Sequence, residues 1–169
     1  MTAAGSTCDR IALYEHPGAL LESTFQHIAA TRMRDIPILN PRLSVEAVGF
    51  QRWQTYWIGI LITPWFMNIL CLPGEPRADP APASGTPCVL ELPSGRYEFL
   101  AASETRLGDY LGCSLFSPVL QFADMSQARE VALAAMDALM QAPAQSTIEA
   151  LPAEGAARRG LFRRLSGAR

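Results

Sequence analysis

The chain has 169 residues, 49% of them hydrophobic and 18% charged, with a formal net charge of −2. That length suits one domain with a self-sufficient core and leaves no room for a second, and the composition is too apolar for wholesale disorder. Residues 155–169 hold five arginines and no acid, so the part before them carries nine arginines against sixteen acids, an acidic body that argues against nucleic acid as its partner.

Residues 1–15 are mostly small and polar and read as a flexible N-terminus. No apolar signal segment precedes Asp9, so the protein is expected in the cytoplasm. From Pro17 the apolar residues Leu21, Phe25 and Ile28, followed by Arg32, recur at helical spacing and predict a helix over 17–33, with Pro17 suited to its first turn. His16 and His27, the only histidines, stand at its entrance and on its solvent side, with no acid-plus-nucleophile pattern near either. Ile36-Pro37 and Asn40-Pro41 then mark an extended connector.

Alternation of Leu43, Val45 and Ala47 with Ser44, Glu46 and Val48 predicts a strand over 44–53. It runs into residues 53–74, a stretch with no charged residue that contains all three tryptophans, Trp53, Trp57 and Trp65. Its length would match a membrane helix of about 20 residues. Pro64 at its centre would remove a helical hydrogen bond and clash with the preceding turn, and Gln54, Thr55 and Asn68 add polar groups. Two strands fit instead, 56–63 and 66–72, with Thr63-Pro64 as the corner between them, and no membrane insertion is expected.

Residues 75–87, rich in proline, alanine and small polar residues, read as a flexible loop because they cannot bury enough surface to offset their ordering entropy. Strands follow over 88–92 and 96–101, joined at Pro93-Ser94-Gly95, and another over 108–116 whose glycines suggest a bulge. Asp124 with Gln127 forms a capping-box pattern before an alanine and methionine stripe from Ala128 to Met140, a helix that Pro143 stops. Residues 144–169 read as a mobile basic tail, leaving 16–143 as the folded domain. The order helix, strands, helix with short connections predicts an α+β fold, a mostly antiparallel sheet flanked by an N-terminal and a C-terminal helix, with the helices covering one face and the other left open.

Chemistry is sparse. Cys8, Cys71, Cys88 and Cys113 are scattered, without the C-x-x-C pairs of iron or zinc sites, so no metal, cofactor or disulfide is expected. A thiol enzyme using Cys113, beside Ser114 in a glycine-containing strand, is the alternative reading; a buried inert thiol is the simpler one. No glycine-rich phosphate loop is present, since Gly108 and Gly112 lack the strand-to-helix context. Elimination leaves a non-catalytic binding or assembly role.

The run Trp57-x-Gly59-x-x-Ile62-Thr63-Pro64-Trp65-x-Met67, then Pro73-Gly74, Leu92-Pro93-x-Gly95 and Tyr110-Leu111-x-Cys113-Ser114-Leu115-x-Ser117-Pro118 resembles the HybE-type nickel-iron hydrogenase assembly chaperones. Arg158-Arg159-x-Leu161-Phe162 is similar to the tail of such proteins. The resemblance implies a cytoplasmic protein that binds nickel-iron hydrogenase small or large subunit precursors during maturation and before twin-arginine export. Some related chains carry a rubredoxin-like module with two C-x-x-C pairs; this one has neither, so an iron-dependent role would need a separate rubredoxin-like partner. Partner contact is expected at the corner, through Thr63, Pro64, Trp65 and Met67, where an aromatic and a flexible thioether flank a proline, and at Arg158 and Arg159 in the tail.

Overall fold

The computed structural model describes residues 15–143. The flexible N-terminus and mobile tail expected from the sequence, with Arg158 and Arg159, lie outside the described residues, apart from Glu15. The elements run α1 (Gly18–Ala30), β1 (Glu46–Trp53), β2 (Tyr56–Ile62), β3 (Met67–Pro73), β4 (Pro87–Leu92), β5 (Gly95–Glu104), β6 (Gly108–Phe116) and α2 (Met125–Met140). One antiparallel sheet has the order β1-β2-β3-β6-β5-β4. Two meanders of three strands thus meet where β3 pairs with β6, and residues 74–86 carry the chain from β3 at the centre to β4 at the far edge.

The nearly continuous apolar run of β2 and β3 has a direct cause: these strands are covered on both faces. Ile58, Ile60, Ile62, Met67, Ile69 and Cys71 point into a core completed by Ala128, Ala132, Ala135, Met136 and Leu139 of α2. Leu61, Leu70 and Leu72, at the intervening positions, join a second core with Leu21, Phe25 and Ile28 of α1. The helices therefore lie on opposite faces of the sheet, which corrects the expectation that both cover one. A strand apolar at both parities must be buried twice. β5 alternates instead, burying Tyr97, Phe99 and Ala101 on the α2 side while Leu100 stays 52% exposed on the other.

Local chemistry fixes the joints. Asp124 accepts a hydrogen bond from the Gln127 backbone N–H at 2.9 Å, and Gln127 Oε1 accepts one from Ala123 N at 2.8 Å, the reciprocal cap read from the sequence. Gly49 holds a φ of +64° where the β1–β2 register shifts, and Gly59 allows the Phe50 ring to lie where a Cβ would come within 2.4 Å of it. The register shift of β6 against β3 falls between Met67 and Asn68, opposite Leu115, and not at the glycines of β6. Arg129 grips Glu46 through both carboxylate oxygens at 2.6 and 2.7 Å, tying α2 to β1. That contact holds the Glu46 carboxyl below the usual carboxylate range, against a weaker upward push from burial.

The proline-rich segment has no regular structure of its own but is tied down at its end. Gly85 N donates to the Ala101 carbonyl at 2.7 Å, and Ala101 N donates to the Thr86 carbonyl at 2.9 Å. Composition conceals such bonds because they use only backbone groups.

Candidate binding site

The corner between β2 and β3 is built by Thr63. Its hydroxyl oxygen accepts from Phe66 N at 2.9 Å and Trp65 N at 3.3 Å, and the hydroxyl donates to the Phe66 carbonyl at 3.0 Å. Asn40 N donates to the Pro64 carbonyl at 2.7 Å, joining the corner to the connector before β1. This geometry turns Trp65 inward. Its ring stacks on Phe25 of α1 at 6.5 Å and meets Phe66 edge-on at 5.6 Å, leaving the residue 8% exposed. Met67 and Thr63 are fully buried. Trp65 and Met67, where partner contact was expected, are thus packed inside the corner instead of displayed on it. A tight turn beside a helix leaves an indole no route to solvent, and burying it against Phe25 is favourable. At the surface of the corner stand half-buried Pro64 and Phe66.

The thiol reading finds no geometry to support it. Cys113 is 2% exposed within the α2-side core, and burial pushes the thiol of Cys71, in the same core, up to about 12. His16 packs its ring against Trp57 at 5.2 Å and Phe50 at 6.5 Å, both part of the α1-side core. The sheet thus stands between that imidazole and Cys113. His27 is exposed on α1. Among the described residues no three His, Cys, Asp or Glu side chains gather as metal ligands, and no helix is long and apolar enough to cross a membrane.

A cleft missed by sequence reasoning lies where β2 starts, β3 ends and β6 starts, beneath the proline-rich segment. Two small adjoining recesses, of about 10 and 120 Å³, share Tyr56, Pro73 and Arg77. Tyr110, Asp109 and Pro82 extend the inner one, Glu75 and Pro76 the outer one. Tyr56 is set by stacking on Trp53 at 6.5 Å. Burial pushes the Tyr110 phenol up, with help from the Glu104 carboxylate and against the opposing pull of Arg32, which is paired with that carboxylate. The only sequence signal was the abrupt change in composition at Glu75; that the segment runs across the strand ends follows from sheet order, which no local pattern encodes.

The family model described as NiFe-hydrogenase assembly, chaperone, HybE matches residues 16–164. This chain belongs to that family. It is 43% identical over 123 residues to the hydrogenase expression/formation protein HupJ of Bradyrhizobium diazoefficiens, covering 73% of this chain and 71% of the relative. It is 38% identical over 122 residues to a Rhodobacter capsulatus protein named "Probable rubredoxin HupJ", covering 72% of this chain but only 44% of that one. The solution structure of HybE from Escherichia coli superposes with a TM-score of 0.63 at 24% identity, over 82% of this chain and 89% of that one, and so shares the α+β fold. The HybE family membership makes the protein a hydrogenase assembly chaperone, and the buried Cys113 agrees with that role over the thiol enzyme.

Proposed function

We propose that this protein is a non-catalytic cytoplasmic chaperone that holds nickel-iron hydrogenase subunit precursors, small or large, during maturation and before their twin-arginine export. The observation that carries the reading is the family match over residues 16–164, joined to 43% identity with a hydrogenase expression/formation protein. The acidic body supports it, because opposite charge speeds encounter with a precursor whose export signal carries arginines. At the corner, partner contact would come from Pro64 and Phe66, with Thr63, Trp65 and Met67 holding its shape; Arg158 and Arg159 would add basic contacts from the tail. An iron-dependent step would fall to a separate rubredoxin-like protein, a partner consistent with the name of the longer Rhodobacter capsulatus relative.

The test is co-expression of the tagged chain with untagged small and large subunit precursors, followed by affinity purification and mass spectrometry. A hydrogenase subunit precursor should co-purify in near-equal amount. Recovery of the chain with neither precursor would overturn the reading.

A further inference from the structure

The two faces of the sheet are not covered equally. The α2-side core reaches from Val48 of β1 to Leu92 of β4, so that face is packed from edge to edge. On the other face α1 covers β1, β2 and β3, and its core takes in only Leu107 and Tyr110 from the far half. The α1-side strip of β6, β5 and β4 is left open. Leu100 and Val89 lie on it, each 52% exposed. Leu100 stands opposite Pro87, and Val89 opposite Glu98, which sets the two apolar side chains on a diagonal of one face. Across β6, Leu100 faces Gly112, which adds no side chain and leaves a notch bounded by Leu70 and Tyr110. A solvated sheet face carries polar residues at such positions; apolar neighbours there call for a cover.

The chain itself supplies one. Ser94 N, in the β4–β5 turn, donates to the Leu139 carbonyl at 3.2 Å, so α2 ends beside the sheet edge that β4 forms. Residues 144–169 continue from that edge, and within them Leu161, Phe162 and Leu165 are the concentrated apolar group, with the only aromatic after Phe122. The family match also runs on past α2, to residue 164. Length agrees. Residues 144–160 span roughly 23 Å as a coil of about 5–6 Å × √n, and the open strip begins about 10 Å along β4 from the turn, at about 3.4 Å per residue. Charge agrees as well: Glu91 and Glu98 are exposed on the strip, Arg163 and Arg164 stand between the apolar residues of the segment, and no acid follows Glu154.

We infer that residues 161–165 fold back around the β4 edge and cover the open strip, with Leu161, Phe162 and Leu165 against Val89, Leu100 and the notch at Gly112, and Arg163 and Arg164 toward Glu91 and Glu98. Tethering selects this occupant over a second copy of the chain. A short flexible linker holds its end at an effective concentration of about millimolar, above that of free copies in a dilute sample. Arg158 and Arg159 precede the docked residues and stay outside the contact.

The experiment is NMR on the isotope-labelled full chain at two concentrations about tenfold apart. Nuclear Overhauser contacts should join the Phe162 ring to the methyls of Val89 and Leu100, equally at both concentrations. Phe162→Ser and, separately, Leu100→Ser should each abolish them and shift the amides of Val89, Leu100 and Gly112. Leu100 belongs to neither core and Phe162 lies outside the described residues, so both variants should otherwise give the folded domain's spectrum. A peptide of residues 158–169 added to the Phe162→Ser chain should move the same amides back, with a Kd on the order of 0.1–1 mM, tight enough for a tethered segment to stay docked. Absence of the contacts, or a Leu100→Ser change that leaves the amides of 161–165 unmoved, would overturn the inference. Contacts that fade on dilution would assign the strip to a second copy instead, and a strip whose amides move only when a hydrogenase precursor is added would assign it to the client.

Discussion

Replacing Trp65 by alanine separates a core residue from a surface anchor. Trp65 is 8% exposed, stacked on Phe25, in edge contact with Phe66, and part of the cluster that joins α1 to β2 and β3. A buried tryptophan side chain covers about 150–250 Å², which at about 25 cal/mol per Å² corresponds to roughly 4–6 kcal/mol of burial as an upper bound. Measured Trp→Ala truncations in cores cost about 3–5 kcal/mol once partial collapse is included, so about 4 kcal/mol is expected here. Against a total stability of about 5–15 kcal/mol, that is a large fraction. For a domain of this size about 3–5 °C is lost per kcal/mol, giving a melting temperature lower by roughly 10–20 °C. Urea denaturation followed by far-UV circular dichroism, with calorimetry alongside, measures both quantities. Trp65→Phe, which keeps a ring against Phe25, should lose less than half as much. An unchanged melting temperature in Trp65→Ala together with weaker precursor capture would refute the argument and return Trp65 to the surface.

Further outcomes follow from the Glu46–Arg129 pair and from the buried thiol of Cys113. Glu46 is held below its unfolded-state pKa by Arg129, so the pair's contribution is present above the ordinary carboxylate range and is lost as pH falls through the lowered folded value. Stability measured from pH 7 downward should thus fall more in the parent than in Glu46→Gln, and parallel curves for the two would contradict the pairing. Cys113→Ala should leave precursor capture intact and cost about 1 kcal/mol through the small cavity it leaves. Reaction of Cys113 with a thiol reagent in the folded protein should be no faster than global opening, and rapid labelling by mass spectrometry would show that the thiol is accessible after all.

How far the sequence could be read depended on whether a feature was local. The cap at Asp124, the corner at Thr63-Pro64 and the strand over 96–101 are each written in adjacent residues, and each stands in the structure where the sequence placed it. The placement of the helices was not legible from helix patterns, but a cue lay in β2 and β3: residues 56–62 and 67–73 are apolar at nearly every position, which half-buried strands are not. The direction of Trp65 was not legible, because an aromatic beside a proline corner looks the same whether it points out or in. The direction was decided by Phe25, forty residues away on α1. The cleft was least legible of all, since Tyr56, Arg77 and Asp109 come together only through the crossing from β3 to β4.

A chaperone that hands its client onward gains from contacts that are individually weak. Pro64 and Phe66, half-buried at the corner, offer little apolar surface, so the corner alone would hold a client briefly. The central strands beneath are the opposite case, buried on both faces and free to lose nothing when a client leaves. Affinity would then depend on how many separate points a precursor engages at once, because linked weak sites raise retention steeply through effective concentration.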